Sequence, residues 1–304
     1  MAHHIGIDIG GTSVKAACLS PAGDVLARDR WDMQDVADAD WPERIADGVA
    51  AMEHEQGGPA ATVGVSTPGI ASPDESGTWW MMGRLEFLMT VDWPALLERD
   101  VAPVINDAQA ALLGEVRQGT ARGVRNAAML TLGTGVGGAA MVDGHLLRGA
   151  VGRAGHLGHI CLDPEGELDI VNTPGSLEEA IGNCTIERRT GGRWPSTHAL
   201  VAAAREGDGE ADRIWRTSVR ALACGIASIV NVLDPEVIVI GGGIAAAGEL
   251  LFDPLHAELD RVEWRPHGHR VRIAPAELGE FAGAIGAAAN AMDRDSRPPE
   301  WRTP

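Results

Sequence analysis

Twice in this chain an apolar stretch runs into a glycine-rich turn and straight on into a second apolar stretch. Residues 5–9 lead through Gly10-Gly11 to residues 14–19, and residues 127–132 lead through Gly133–Gly138 to residues 138–142. Short apolar runs on either side of glycine read as strands. Glycine also lets the backbone turn sharply and bring its N–H groups close to an anion. The plan recurs without a close sequence repeat, and helical patterns follow each copy. The expectation is an α/β chain of two lobes with a cleft between them.

The remaining elements fit this plan. Residues 25–31 read as a third strand. A helix starts near Pro42, tolerated in a first helical turn, with Trp41, Ile45, Val49 and Met52 on one face. Residues 61–66 and 101–105 read as strands, 67–95 as loop, and 107–116 as a helix. Asp143-Gly144 is a strong hairpin signal that pairs residues 145–148 back. Ile214, Val219, Leu222, Ile226, Ile229 and Leu233 line one face of a long helix. Residues 237–240 form a buried strand before Gly241-Gly242-Gly243, and residues 281–292 a small-residue helix. The tail with Pro298, Pro299 and Pro304 is expected to fray.

Charge narrows the function. There are 25 Lys and Arg against 43 Asp and Glu, a net charge of −18, which repels nucleic acid at long range. A nucleotide can still be met locally by backbone N–H groups and a metal ion. Cys18, Cys161, Cys184 and Cys224 show no CxxC spacing, so neither a redox pair nor a zinc knuckle is indicated. No apolar run is long enough for a membrane span. The opening Met1-Ala2-His3-His4 shows no basic segment or cleavage site, so a cytoplasmic protein is expected.

Six motifs carry chemistry, each beside a plainer reading. In Asp8-Ile9-Gly10-Gly11-Thr12, Asp8 can hold a metal-bound water and Thr12 can donate to a phosphate oxygen; the plain reading is a capped hairpin turn. Gly133-Thr134-Gly135-Val136-Gly137-Gly138 matches GxGxxG but opens a strand, not the helix that a dinucleotide site requires. Asn106-Asp107 is good helix-capping material, and a carboxylate at a strand end can equally accept the proton of an attacking hydroxyl. His156 and His159 can hydrogen-bond a polyol or belong to a polar loop. Ser176 and Glu179 fit a capping box, leaving Glu178 for a ligand. Gly241-Gly242-Gly243 offers flat backbone to an adenine or ribose, or simply close strand–helix packing.

In this order and spacing the motifs resemble the ROK family, over residues 5 to about 292. Asp8–Thr12 resembles its first phosphate motif. Gly133–Gly138, with Asp143-Gly144 and Arg148-Gly149, resembles its second, and Gly241–Gly243 its adenosine motif. Asn106-Asp107 resembles its sugar-binding Asn and catalytic Asp, Gly158-His159 the end of its Glu-x-Gly-His motif, and Gly175–Glu178 its Gly-Cys-Leu-Glu segment. The resemblance implies an actin-like ATPase (ribonuclease H-like) fold and ATP-dependent phosphorylation of a hexose, usually at C6, with glucose the first guess. Asp107 would be the general base; Asn106, His156, His159 and Glu178 would bind the sugar. Asp8, Gly10, Gly11, Thr12, Lys15, Gly133, Thr134, Gly135, Gly137, Gly241, Gly242 and Gly243 would hold ATP, with Asp8 positioning Mg²⁺ through water. It also implies a homodimer and lobe closure that excludes water. The expected division is residues 1–106 with a C-terminal helix at about 285–304, against residues 107–284.

Two departures qualify the resemblance. His156 stands where the family commonly has Glu, which changes charge and donor pattern toward the sugar. Asp169, Val171 and Ser176 stand where the family carries three zinc-binding cysteines. A structural zinc needs about four N or S ligands, so none is expected here. Mannose, fructose, allose, N-acetylglucosamine and N-acetylmannosamine remain alternative substrates. The rival functions are a non-catalytic sugar sensor, a DNA-binding repressor, disfavoured by the acidic balance and the short lead before the first strand, and a polyphosphate-using kinase.

Overall fold

The computed structural model describes residues 2–33, 40–83 and 85–294. They form two compact units. The first takes the chain up to Gly123, then Leu147–Ala154, then the stretch from Glu277 on; the second takes Val124–Leu146 and Gly155–Ala276.

In the first unit, β1 (His4–Ile9), β2 (Ser13–Leu19) and β3 (Val25–Asp32) form an antiparallel meander. After helix α1 (Trp41–Glu55), β4 (Thr62–Thr67) pairs parallel with β1. A small hairpin, β5 (Ile70–Ala71) with β6 (Thr78–Trp80), and the short helix α2 (Trp93–Leu96) fill the segment expected to be loop. β7 (Val104–Asn106) completes the sheet order β3-β2-β1-β4-β7 and runs directly into α3 (Asp107–Gln118). Alternation along the strands sorts the two faces. Ile5, Ile7, Val63 and Val65 join one core with Ile45, Val49 and Met52 of α1. The intervening Gly6 and Gly64 face the C-terminal helix (Ala282–Arg294), where an added Cβ would stand 2.0 Å from Ala284 O and 2.1 Å from Ala287 O. Glycine here permits a backbone approach that a side chain would block.

The second unit repeats the plan. β8 (Ala127–Leu132), β9 (Val136–Val142) and β10 (His145–Leu146) run antiparallel, and β11 (Val237–Gly241) and β12 (Arg272–Pro275) add in parallel, in the order β10-β9-β8-β11-β12. The β9–β10 turn uses left-handed backbone at Asp143 (φ 52°) and Gly144 (φ 83°), as a two-residue hairpin of this type requires. The helices are α4 (Leu177–Ile181), α5 (Ile186–Arg189), α6 (Thr197–Arg205), α7 (Gly209–Leu233) and α8 (Glu249–Val262). By length and composition alone α7 would reach across a bilayer. Instead Trp215, Leu222, Ile226 and Ile229 share a core with Leu130, Leu132, Ile238 and Ile240.

The two units divide the chain differently from the expected boundary. The boundary drawn after residue 106 falls inside the first unit, because α3 lies against the C-terminal helix. A Cβ on Gly286 would meet Ala110 O at 1.7 Å, and one on Gly114 would meet Ala282 O at 2.4 Å. Buried Glu115 reinforces this by accepting from the Glu277 and Leu278 amides, both at 2.9 Å. Residues 147–154 return to the first unit through Arg148, which pairs with buried Glu75 and donates to Asn290 at 3.2 Å. Arg294 bonds the same Glu75 carboxylate at 2.7 Å. Trp93 is fully buried and meets Trp41 edge-on, while Trp79 and Trp80 are exposed. The proline tail and the expected helix beyond residue 294 lie outside the described residues.

Candidate active site

In the first unit, alternation places Asp8 and Ser66 on the same sheet face as Gly6 and Gly64. Asp8 therefore points at the start of the C-terminal helix, where Gly283 leaves it room; a Cβ there would stand 2.6 Å from the carboxyl carbon. Ser66 donates to Asp8 at 2.6 Å. Burial pushes the Asp8 carboxyl up to about 6 and the Asp107 charge adds to the rise, against the lowering effects of Ser66 and Lys15. Lys15 Nζ lies 3.4 Å from where a Gly10 Cβ would be, so the ammonium flanks the first glycine turn. Gly11 and Thr12 are exposed on that turn.

Asn106 and Asp107 sit where β7 becomes α3. The Asn106 side chain caps the helix, accepting from Ala108 N at 3.0 Å and Gln109 N at 3.3 Å. Its amide donates to Gly69 O and to Asp107 Oδ1, at 2.8 and 2.9 Å. Capping and carboxylate positioning are thus done by one side chain. Asp107 Oδ1 also accepts from Ala108 N at 2.8 Å. Asp107 stays solvent-accessible, yet the dense protein around it raises its carboxyl above the ordinary value, against the lowering pull of the Ala108 amide and Asn106.

In the second unit the Gly133–Gly138 turn is held by its carbonyls. Asn183 N donates to Gly133 O at 3.0 Å and Cys184 N to Thr134 O at 2.7 Å. Arg189, which the sequence reading missed, locks this support by donating to Gly182 O, Thr185 Oγ1 and Ser218 Oγ at 2.9, 2.9 and 2.7 Å. With the carbonyls engaged, the Thr134 and Gly135 amides have no protein acceptor among the described residues, an arrangement suited to phosphate oxygens. Gly242, at φ 85°, brings the third glycine turn against the end of β8, where a Cβ would be 2.3 Å from Leu132 O.

A cavity of about 670 Å³ joins these two turns. Gly133 and Thr134 line one part of it, Gly243 and Ile244 another, and His198 and Arg205 of α6 close a wall. That volume suits a small-molecule or cofactor site. Helix α6 has no counterpart among the sequence expectations, although Thr197, Leu200 and Val201 share its buried face.

The expected sugar ligands of this unit are placed differently from one another. Glu178 packs against the Gly133–Gly138 turn, accepting from Val136 N at 2.9 Å, and a Cβ on Gly135 would stand 2.2 Å from its Oε2. Ser176 caps α4 through Glu179 N at 3.3 Å, but Glu179 pairs with Arg188 instead of closing the capping box. His156 precedes the one-turn helix Leu157–His159, which His159 ends. Among the described residues no three His, Cys, Asp or Glu side chains converge as a metal cluster.

The paired sheets, the glycine turns and the Asp8–Asp107 carboxylates define the actin-like ATPase fold. The chain belongs to the ROK family, whose model matches residues 4–294. It is 31% identical to a glucokinase of Thermotoga maritima, with 95% of this chain and 97% of that one covered. It superposes on a ROK hexokinase of Thermus thermophilus with a TM-score of 0.85 at 29% identity, covering 95% and 97% of the two chains. A ROK glucokinase of Streptomyces griseus, solved in complex with glucose and AMPPNP, matches with a TM-score of 0.72 at 28% identity, covering 95% and 99%.

The state of Asp8 leads to a stability prediction. A carboxyl raised from 3.8 to about 6 binds its proton more tightly folded than unfolded. Folding stability therefore falls as pH rises between those values. Asp8→Asn keeps an acceptor for Ser66 and removes the charge. At pH 7 it should raise the stability of the ligand-free protein by roughly 1–3 kcal/mol, with the gain vanishing below about pH 4. Urea midpoints at the two pH values check this, and an equal gain at both would contradict it.

Proposed function

We propose that this chain transfers the γ-phosphoryl group of ATP to a hexose, with glucose as the preferred acceptor and the C6 hydroxyl as the attacking group. The observation that carries the reading is the cavity shared by Gly133, Thr134 and Gly243, which joins the second phosphate motif to the adenosine motif within one unit. ATP would lie there with phosphates at the Thr134 and Gly135 amides.

Asp107 would take the proton of the sugar hydroxyl as its oxygen attacks the γ-phosphorus and ADP leaves. Asn106 holds that carboxylate by its amide. His156, His159 and Glu178 would bind ring hydroxyls. Two mutually repelling carboxylates, Asp8 and Asp107, suit a hard divalent cation with oxygen ligands; Mg²⁺ held there through water would neutralise phosphate charge. Because the dense protein around them raises both carboxyls, and the Asp107 charge adds to the rise at Asp8, the acid limb of kcat/KM should lie above the ordinary carboxylate range.

The test is ADP release with Mg-ATP against a panel of hexoses and N-acetylhexosamines. Glucose is expected to give the highest kcat/KM. A higher value for N-acetylmannosamine would overturn the glucose assignment, and sugar-independent ADP release would overturn the kinase reading.

A further inference from the structure

Residues 168–174 form a tight loop around one buried carboxylate. Leu168 bridges to Pro174, Asp169 N donates to Thr173 O at 3.0 Å, and Asn172 turns the chain in left-handed backbone with φ 65°. The Asp169 side chain at the centre has 0% exposure. Its Oδ1 accepts from Val171 N at 3.0 Å and Thr173 N at 2.8 Å, and its Oδ2 lies 2.8 Å from His159 Nδ1. Ser176 adds a further hydrogen bond to the carboxylate. Burial works to raise this carboxyl, but Thr173, His159, Ser176 and Val171 together hold it below the ordinary value.

An ionised carboxylate offers only acceptors, so the imidazole must donate to it from Nδ1. That fixes the proton on one nitrogen. Among the described residues Nε2 has no hydrogen-bond partner, although the ring is only 23% exposed. A loop that spends a fully buried charge on one face of a half-buried imidazole leaves the other face ready for a ligand.

We propose that Asp169 is a positioning residue for sugar recognition: it fixes the Nδ1–H tautomer and the ring plane of His159, so that Nε2 meets a sugar hydroxyl. The inference rests on the reading of His159 as a sugar ligand, and one arm of its test is independent of that reading.

The informative variant is Asp169→Asn in the full chain. The Val171 and Thr173 amides are donors, so the Asn oxygen stays on them and its NH₂ group faces His159. Nδ1 must then accept, and the proton moves to Nε2. Nitrogen-15 NMR of histidine-labelled protein at about pH 8, above the ordinary histidine range, reads the tautomer directly, with His159→Gln identifying the signal. The expected result is Nδ1–H in the wild type and in Asp169→Glu, and Nε2–H in Asp169→Asn. In steady state, Asp169→Asn should raise the sugar KM about tenfold with kcat nearly unchanged, the signature of lost uniform binding.

A wild type with Nε2–H, or an Asp169→Asn protein that keeps Nδ1–H, overturns the proposal. So does a switched tautomer with an unchanged sugar KM. If Asp169→Asn does not fold, the wild-type and Asp169→Glu spectra decide between the same outcomes. If the wild type phosphorylates no sugar, the kinase reading fails on its own, while the tautomer still decides whether Asp169 governs His159.

Discussion

Asp107→Asn should lower sugar-dependent kcat by at least roughly 10²-fold while sugar and nucleotide affinities stay within a few-fold. The amide keeps the geometry: its oxygen can still accept from Asn106 Nδ2 and Ala108 N, the two groups that hold Oδ1 at 2.9 and 2.8 Å. What it loses is the capacity to take a proton. The variant thus separates chemistry from packing, since a fall in kcat without a rise in KM marks an interaction made in the transition state. Steady-state kinetics alongside calorimetric sugar binding checks it; a kcat within tenfold of wild type would remove Asp107 from the role of base.

The largest stability effect is expected at Gly286. An alanine there would place its Cβ 1.7 Å from Ala110 O and 2.9 Å from Gly114 N. These are backbone atoms of α3, which cannot swing aside as a flexible side chain can. The helix pair must separate, at a cost of about 3 kcal/mol or more. Because Asp107 is the first residue of α3, activity should fall with stability. Gly209→Ala is the matched control: nothing lies within 4 Å of its new Cβ, and its stability should stay within about 0.5 kcal/mol of wild type. Urea unfolding of the two variants, read with kcat, tests the contrast. Equal midpoints would mean that the α3 contact does not hold the first unit together.

Local chemistry makes much of this legible in the sequence. Strand, glycine turn, strand is a short-range signal, and it placed β1–β2 and β8–β9. Asp143-Gly144 specified its own turn, and Asn106 read as a cap is a cap. The misjudged parts depend on partners distant in sequence. Arg148 belongs with Glu75 and Asn290, so nothing within residues 147–154 reveals their unit. Glu115 looks like one more helical surface charge until the Glu277 and Leu278 amides reach it. Arg189 reads as a surface cation, yet it holds Gly182 O beside Asn183 and Cys184, whose amides hold the Gly133 and Thr134 carbonyls. Asp169 stands out in the sequence only as a position without cysteine, and its hydrogen bond to His159 depends on the closed 168–174 loop. Likewise β12 ends in Pro275 and carries Arg272; it becomes a strand by adding to the edge of β11.

The same distinction explains how stability and function are set against each other. Gly6, Gly64, Gly283 and Gly286 draw the C-terminal helix close to the sheet and to α3. That closeness buries Asp8 and raises its carboxyl, which destabilises the ligand-free protein at neutral pH. If Asp8 has the role proposed above, a neutral residue there gives a more stable and less active protein, a trade common at functional sites.

The most direct test is phosphorus-31 NMR of the wild-type protein with Mg-ATP, recorded with and without glucose. The account predicts a sugar-phosphate resonance growing in step with ADP, almost no free phosphate, and negligible ATP loss without sugar. ATP consumed to free phosphate at the same rate in both samples, or glucose bound with no new resonance, would contradict it.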